Sequence, residues 1–268
     1  MIISNRCRVS PCRICVIIFE AIFVKNNYYV EKKRMSAMNE KISQTKDMLA
    51  KHHRDGERFA QLMKDTYAGR FNEAFWAAWA QHIAPVLSEQ AVVLDLGTGP
   101  GMFLREVVQR HPGVHAIGVE CADYMLDAAG DLPANCEIVA ADLHDPHLPL
   151  ADGSVDAAVA SVVLHEMHQP VRTLLEMQRC LKPGGVFYIL DWVRAPLQQY
   201  LAGEVPDMAV FDRDTDVQAL EDLFVHFIEH NRFSSDDLVF MLENTGFKLL
   251  EKTLLKGGQM VRLVVEKV

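Results

Sequence analysis

The sequence predicts an α/β fold, a doubly wound parallel sheet with helices on both faces, on three observations. Short apolar strands alternate with helical stretches from Val92 to Trp192, the pattern that folds into a parallel sheet with crossover helices. The first strand, Val92–Leu96, carries an acid near its end and runs into Gly97-Thr98-Gly99-Pro100-Gly101 before a helix opens. Acids or a hydroxyl then stand where successive strands end: Asp95, Glu120, Asp142, Ser161 and Asp191.

The elements follow in order. Residues 39–87 read as helical, with an apolar stripe of Ala60, Met63, Tyr67, Phe71, Ala74, Phe75 and Ala78 at steps of three and four. Pro85 interrupts the last turns. Packing against the main domain accounts for such a stripe, and a helical cap near a ligand cleft is compatible with it. Strands are expected at Val92–Leu96, 114–120, 137–141, Val155–Ser161 and 186–192, with helices over 102–111, 124–129 and 171–181 between them. Lys182-Pro183-Gly184-Gly185 ends the last of these helices. From 193 to 232 the alternation stops in an acidic stretch, and a segment this long between core elements reads as a lid. Its acids, Asp212, Asp214 and Asp216 among them, read as a solvated face, with selection of a cationic acceptor as the alternative. A helix over 234–244 has Ser234 or Ser235 to cap it and Asp236 and Asp237 in its first turn. Phe247–Leu255 and Met260–Lys267 then form an antiparallel hairpin through Lys256-Gly257-Gly258.

Composition narrows the function. The chain has 268 residues, half of them apolar, and a net charge of −9. It can bury a full core, and its acidity argues against a nucleic-acid backbone as partner. Residues 1–34 differ from the rest, with seven Lys/Arg against two acids and three of the six cysteines. Their apolar run, residues 14–24, is too short to span a bilayer and contains Glu20. The leader is read as non-native or disordered, with Met35 or Met38 as the start, and no membrane partner is expected. Cysteine usage shows no disulfide framework, and a cytoplasmic location is expected.

Glycine lets bare backbone approach a ligand and adopt positive φ, and the helix after the turn offers unpaired N–H groups. The spacing is Asp-x-Gly-x-Gly-x-Gly, whereas a dinucleotide fold wants G-x-G-x-x-G. Glu120 can accept hydrogen bonds from ribose hydroxyls, Asp142 from an adenine amino group beside the Leu143 N–H, and Asp95 suits the amino end of a zwitterion. The Asp95–Gly101 turn, Glu120 with Met125 and Leu126 behind it, Ala141-Asp142 before Leu148-Pro149-Leu150, Ser161 closing its strand, Leu181-Lys182-Pro183-Gly184-Gly185 and Asn244-Thr245-Gly246-Phe247 together resemble the class I S-adenosylmethionine-dependent methyltransferases. The resemblance covers roughly residue 90 onward. It implies a Rossmann-like seven-stranded sheet with an antiparallel last strand, and S-adenosylmethionine as cofactor. It implies Asp95, Gly97, Thr98, Gly99, Gly101, Glu120, Cys121, Met125, Asp142, Leu143 and Ser161 as cofactor-binding residues. Met125 would line one adenine face, and helix packing explains it equally well. The implied organisation is leader 1–34, cap 35–89 and methyltransferase domain 90–268 with the 193–232 lid.

The strand at 155–161 leads into Val162-Val163-Leu164-His165, without the Asn/Asp-Pro-Pro-aromatic motif of enzymes that methylate amide or exocyclic base nitrogens. Cytosine-type, arginine-type and magnesium-dependent catechol-type signatures are likewise missing, which leaves a small-molecule acceptor. His165, rather than His168, is the candidate base. Glu166 reads as a possible cap of the next helix. The H-E-x-H spacing does not match a zinc site, so no metal is expected. A regulatory protein that binds the cofactor without methyl transfer stays open, as does a nicotinamide-dependent oxidoreductase. The sequence leaves the oligomeric state open.

Overall fold

The computed structural model describes residues 40, 42–50, 53, 55–205 and 209–268. The expectations for the 1–34 leader and for a start at Met35 or Met38 lie outside these residues. The chain divides into two compact units, Met1–Asp47 and Met48–Val268. In the first, residues 42–47 are helical; everything below concerns the second.

Seven strands form one sheet: β1 (Val92–Leu96), β2 (His115–Glu120), β3 (Cys136–Ala140), β4 (Val155–Ser161), β5 (Leu181–Trp192), β6 (Phe247–Leu255) and β7 (Met260–Lys267). Their order is β3-β2-β1-β4-β5-β7-β6. β7 runs antiparallel to both β5 and β6, and the other pairings are parallel. The α/β fold with its antiparallel C-terminal hairpin is therefore as expected. The central strands are buried on both faces, as a sheet covered by helices requires; all seven residues of β4 are buried.

One face packs Leu94, Leu96, Ile117, Val119, Ile189 and Leu263 against helices Val171–Cys180 and Ser235–Asn244. The other packs Val93, Ala116, Val159, Tyr188 and Val264 against helix Met102–Arg110 and the N-terminal helices. Phe75, Trp79 and Phe103 anchor that second face as an aromatic cluster, and the Trp79 indole N–H donates to His111 Nε2 at 2.9 Å.

Boundaries shift by a residue or two at most elements, with two larger differences. The N-terminal stripe is not one helix. It breaks into α1 (Gly56–Asp65), α2 (Tyr67–Arg70), α3 (Glu73–Ala78), a π-helical turn (Trp79–Ile83) and a 3-10 turn (Ala84–Val86) that holds Pro85. Asn72 restarts the chain as an N-cap, accepting from Ala74 N and Phe75 N. As a result Ala60 packs with Cys121 and Met125, Phe75 packs under the sheet, and Ala74 faces solvent. The second difference is β5, which begins at Leu181 rather than 186. Leu181 pairs with Val155 ahead of an irregularity, and regular pairing resumes at Ala157 with Val186.

The remaining helices are α4 (Met102–Arg110), α5 (Asp123–Ala129), α6 (Val171–Cys180), α7 (Leu197–Glu204), α8 (Val217–His230) and α9 (Ser235–Asn244). Ser234 caps α9 in a reciprocal pair with Asp237. The 193–232 segment holds α7, a 3-10 turn and α8 around its own small core of Tyr200, Leu201 and Val210. Asp212, Asp214 and Asp216 are exposed, and Asp216 caps α8 by accepting from Ala219 N. No helix among the described residues is long and apolar enough to cross a membrane.

Candidate cofactor and methyl-transfer site

Strand order reverses between the parallel strands β1 and β4: β2 and β3 extend the sheet one way from β1, and β4 and β5 the other. The crevice outside the carboxyl ends of such strands is where ligands bind. The glycine turn sits there. Gly97 has φ +65°, and a β-carbon on it would stand 2.6 Å from Val163 Cγ2, so only glycine fits. Gly99 has φ +53°, and only Met125 Sδ, at 3.7 Å, would meet a side chain there. Its bare backbone is thus open to a ligand, with the Met125 sulfur beside it. Gly101 starts α4 in a left-handed conformation. The Arg105 guanidinium clamps the turn from behind, donating to the carbonyls of Pro100, Gly101, Ala129 and Asp131.

Asp95 is buried, and its Oδ2 accepts from Thr98 Oγ1 at 2.6 Å. Burial drives its pKa up to about 7, against the pull of the Thr98 hydroxyl and the Arg70 charge, with Glu120 adding to the rise. Glu120 reaches back to the turn: Oε2 accepts from Gly99 N at 3.1 Å, and Oε1 from Cys121 N and Ala122 N at 2.8 and 2.9 Å. Burial raises its pKa too, opposed by those three N–H donors. Ala141 N donates to Glu120 O, which brings the β3 exit alongside. There Asp142 is buried, with Oδ1 accepting from the backbone N–H and ring Nδ1 of His144. Leu143 is buried, and its carbonyl accepts from Thr173 Oγ1. Ser161, closing β4, is buried with no hydrogen-bond partner for its Oγ.

The sequence-predicted residues thus gather along one edge, with a division of labour. Gly99, Glu120, Asp142 and Ser161 present polar atoms at the strand ends. Thr98 and Cys121 brace the acids, and Gly101 sets the entry into α4.

Beyond β4 the chain is strained. Val162, a β-branched residue, holds φ +60°, which costs of order 1–3 kcal/mol and persists only where its surroundings enforce it. They do so here: Val162 N donates to Leu190 O at 2.7 Å, and Asp191 Oδ2 accepts from Val163 N and Leu164 N. Asp191 Oδ1 accepts from Trp192 N at 2.8 Å and from His165 Nδ1 at 2.7 Å. Asp191, noted in the sequence only as one more strand-end acid, is instead the buried anchor of this loop and of His165. Burial pushes the His165 pKa down, but the Asp191 charge and hydrogen bond outweigh it and the net shift is upward. His168 is exposed and its pKa is lowered, by partial burial and by Arg232. Glu166 does not cap α6, whose N-cap is Pro170; its Oε1 lies 3.3 Å from His53 Nε2, and His53 also meets the Tyr124 hydroxyl. His53, Arg70, Tyr124 and His144 went unmarked in the sequence, because nothing local separates them from surface residues. Among the described residues no group of three or more His, Cys, Asp or Glu is arranged to hold a metal ion.

A family profile described as a methyltransferase domain matches residues 94–189, the span from β1 into β5 that contains the turn, Glu120, Asp142, Ser161 and His165. That span is similar to methyltransferase domains. It is 33% identical over 113 residues to a ubiquinone/menaquinone biosynthesis C-methyltransferase of Syntrophotalea carbinolica, covering 41% of this chain and 47% of that protein. It is 38% identical over 94 residues to a 37.1 kDa protein of transposon TN4556 from Streptomyces fradiae, covering 34% of this chain and 27% of that one. The chain therefore spans less than half the length of these relatives. Its fold is similar to that of a SAM-dependent methyltransferase from Aquifex aeolicus, with a TM-score of 0.53, 19% identity, and coverage of 80% of this chain and 99% of that one. That protein, by its name, takes S-adenosylmethionine (SAM) as cofactor. The residues here fit that group: open backbone at Gly99, the half-buried acid Glu120, the buried acid Asp142 and an unpartnered hydroxyl at Ser161 gather at the strand ends.

Proposed function

We propose that this protein transfers a methyl group from S-adenosylmethionine to a small-molecule acceptor that gives up a proton, with His165 as the base. The carrying observation is the His165–Asp191 pair. With Nδ1–H donating to Asp191, the neutral imidazole keeps its lone pair on Nε2, the atom that would take a proton. When bound, S-adenosylmethionine supplies an electrophilic methyl on a good leaving group. Glu120 would hold its ribose and Asp142, with the Leu143 N–H, its adenine. The Gly97–Gly101 turn would orient its amino-acid end, and such alignment supplies much of the rate.

The acceptor side lies between His165 and the 193–232 lid. The Arg232 guanidinium contacts Glu166 O at 3.4 Å, and this tethers the lid to the loop that carries His165. A phenol, enol or electron-rich ring carbon needs the base that the pair offers. The name of the C-methyltransferase relative, in ubiquinone/menaquinone biosynthesis, supports that class. The net charge of −9 supports a neutral or cationic acceptor over a phosphorylated one. Cys121, Cys136 and Cys180 form no disulfide, which supports a cytoplasmic location.

Calorimetric titration of the full chain with S-adenosylhomocysteine, S-adenosylmethionine and NAD tests the cofactor part, with Glu120→Ala and Asp142→Ala alongside. Saturable binding of the first two, weakened in both variants and absent for NAD, is expected. Binding without turnover across phenolic, enolic and amine acceptors would replace the enzyme reading with a regulatory one.

A further inference from the structure

The cap and the lid meet the same three-residue turn. Leu164–Glu166 forms a 3-10 turn beyond β4, and the Asp191 carboxylate fixes its entry. On the lid side, α8 packs against this turn and Arg232 donates to the Glu166 carbonyl at 3.4 Å. On the cap side, the Glu166 carboxylate meets His53, with Oε1 3.3 Å from Nε2. A carboxylate only accepts, so Nε2 carries the proton and, in the neutral ring, Nδ1 accepts from the Tyr124 hydroxyl. The His53 side chain is 5% exposed and stacks on Phe59 with ring centroids 3.6 Å apart. A polar ring buried this deeply needs its partners, so the seat of His53 depends on Glu166 and Tyr124. Tyr124 also sets the start of α1, because a β-carbon on Gly56 would stand 2.6 Å from its ring. α1 then packs Ala60 with Cys121, Ala122 and Met125, where α5 begins just after Glu120. The Glu166 charge reaches Glu120 and His165 alike, which sets it between the cofactor acid and the candidate base.

We propose that Glu166 couples the two covers: cofactor binding steadies the seat of α1 on α5, and His53 and Glu166 pass this to the turn and so to α8 of the lid. This rests on S-adenosylmethionine being the cofactor. Glu166 is a positioning residue on this reading, acting through the turn and not on the reacting atoms. A ligand held by Glu120 and the bare backbone of Gly99 lies beside Met125, on which α1 packs, so it favours the seated cap over a lifted one. The seated cap favours the Glu166 conformation that meets His53, and that conformation favours the turn geometry on which α8 rests. Such coupling is reciprocal: an ordered lid holds the cofactor by the same factor as the cofactor orders the lid. The acceptor side then closes only once the methyl donor is in place.

Hydrogen–deuterium exchange on the full chain tests this with S-adenosylhomocysteine as the probe, its binding followed by calorimetry. In wild type, saturating probe is expected to slow exchange across residues 97–101 and, by about tenfold, across α8, within the ordinary range of coupling between sites. Glu166→Ala should keep the first effect and lose the second. Its free form should exchange in α8 as free wild type does, because the Arg232 tether uses the backbone carbonyl. Glu166→Gln, which still accepts from His53, should recover part of the coupling. His53→Ala breaks the link from the cap side and serves if Glu166→Ala fails to fold. Wild-type protein that protects residues 97–101 with no change in α8 overturns the proposal. So does a folded Glu166→Ala or His53→Ala that protects α8 as wild type does, or that loses the protection of residues 97–101 as well. Wild-type protein that binds no S-adenosylhomocysteine would instead overturn the cofactor assignment, at the first titration.

Discussion

His165 Nδ1 lies 2.7 Å from Asp191 Oδ1, and both side chains are shut off from solvent. Asp191 also takes the N–H groups of Val163, Leu164 and Trp192, so one carboxylate fixes both the imidazole and the strained loop that carries it. The pair joins the exit of β4 to the end of β5, where Ser161 is in register with Leu190.

This pairing fixes the sign of a pH dependence. The His165 pKa is raised above its ordinary 6.5, so the neutral, proton-accepting form grows as pH rises through the raised value. Methyl transfer should show a rising limb with its midpoint above 6.5, and Asp191→Asn should move that midpoint down. His165→Gln should cost on the order of a hundredfold or more in turnover with S-adenosylhomocysteine affinity unchanged. The same shift stabilises the fold below about pH 6.5, and the gain is lost as pH rises through the raised pKa. Denaturation should therefore show a wider stability gap between wild type and His165→Gln at pH 6 than at pH 9.

Asp95 gives a second pH effect. With its pKa pushed up to about 7, it is largely protonated at pH 6 in the free protein, and an ammonium placed against it favours the ionised form. Binding of S-adenosylhomocysteine should release a proton near neutrality, and affinity should climb with pH before levelling above 7. Calorimetry in buffers of different ionisation enthalpy reads this release directly. Asp95→Asn should show none.

Ser161→Ala should act oppositely on stability and on binding. The buried hydroxyl has no partner in the protein, a state that costs about 1–3 kcal/mol. Its removal should leave the free protein as stable as wild type or up to about 1 kcal/mol more so, while S-adenosylhomocysteine binds more weakly. Thermal unfolding and calorimetry on one preparation check both. A less stable variant with unchanged binding would assign Ser161 to packing.

Gly97→Ala should destabilise by at least about 2 kcal/mol, because a left-handed φ costs roughly 1–2 kcal/mol for a residue with a β-carbon and the new carbon would meet Val163 at 2.6 Å. Val163→Ala in the same chain should recover the steric part and leave the backbone part. A double-mutant cycle in urea separates them. Purely additive effects would mean that Val163 is not what confines the turn.

The strands were largely legible because burial on both faces demands apolar runs, and those runs are local. β1, β4, β6 and β7 match their expected bounds. Ser234 as the α9 cap was legible for the same reason, since its partner Asp237 is three residues away. Strand-end positions such as Glu120 and Asp142 were legible because each strand end is itself a local signal. The breaks in the N-terminal stripe were not legible, since periodicity does not reveal that Asn72 restarts the helix and sends Ala60 and Phe75 to different cores.

By itself, the sequence determined the α/β class, the glycine turn and the series of polar residues at the strand ends. These depend on side-chain period, on the backbone freedom of glycine and on spacing within one strand–turn–helix unit. Only the tertiary structure decided which acid serves which partner. Asp191 goes to His165 across 26 residues and Glu120 to Gly99 across 21. The physical reason is that such pairs form between loops of different strands. Their meeting is fixed by sheet register and helix docking, which arise from long-range burial and leave no periodic mark on the chain.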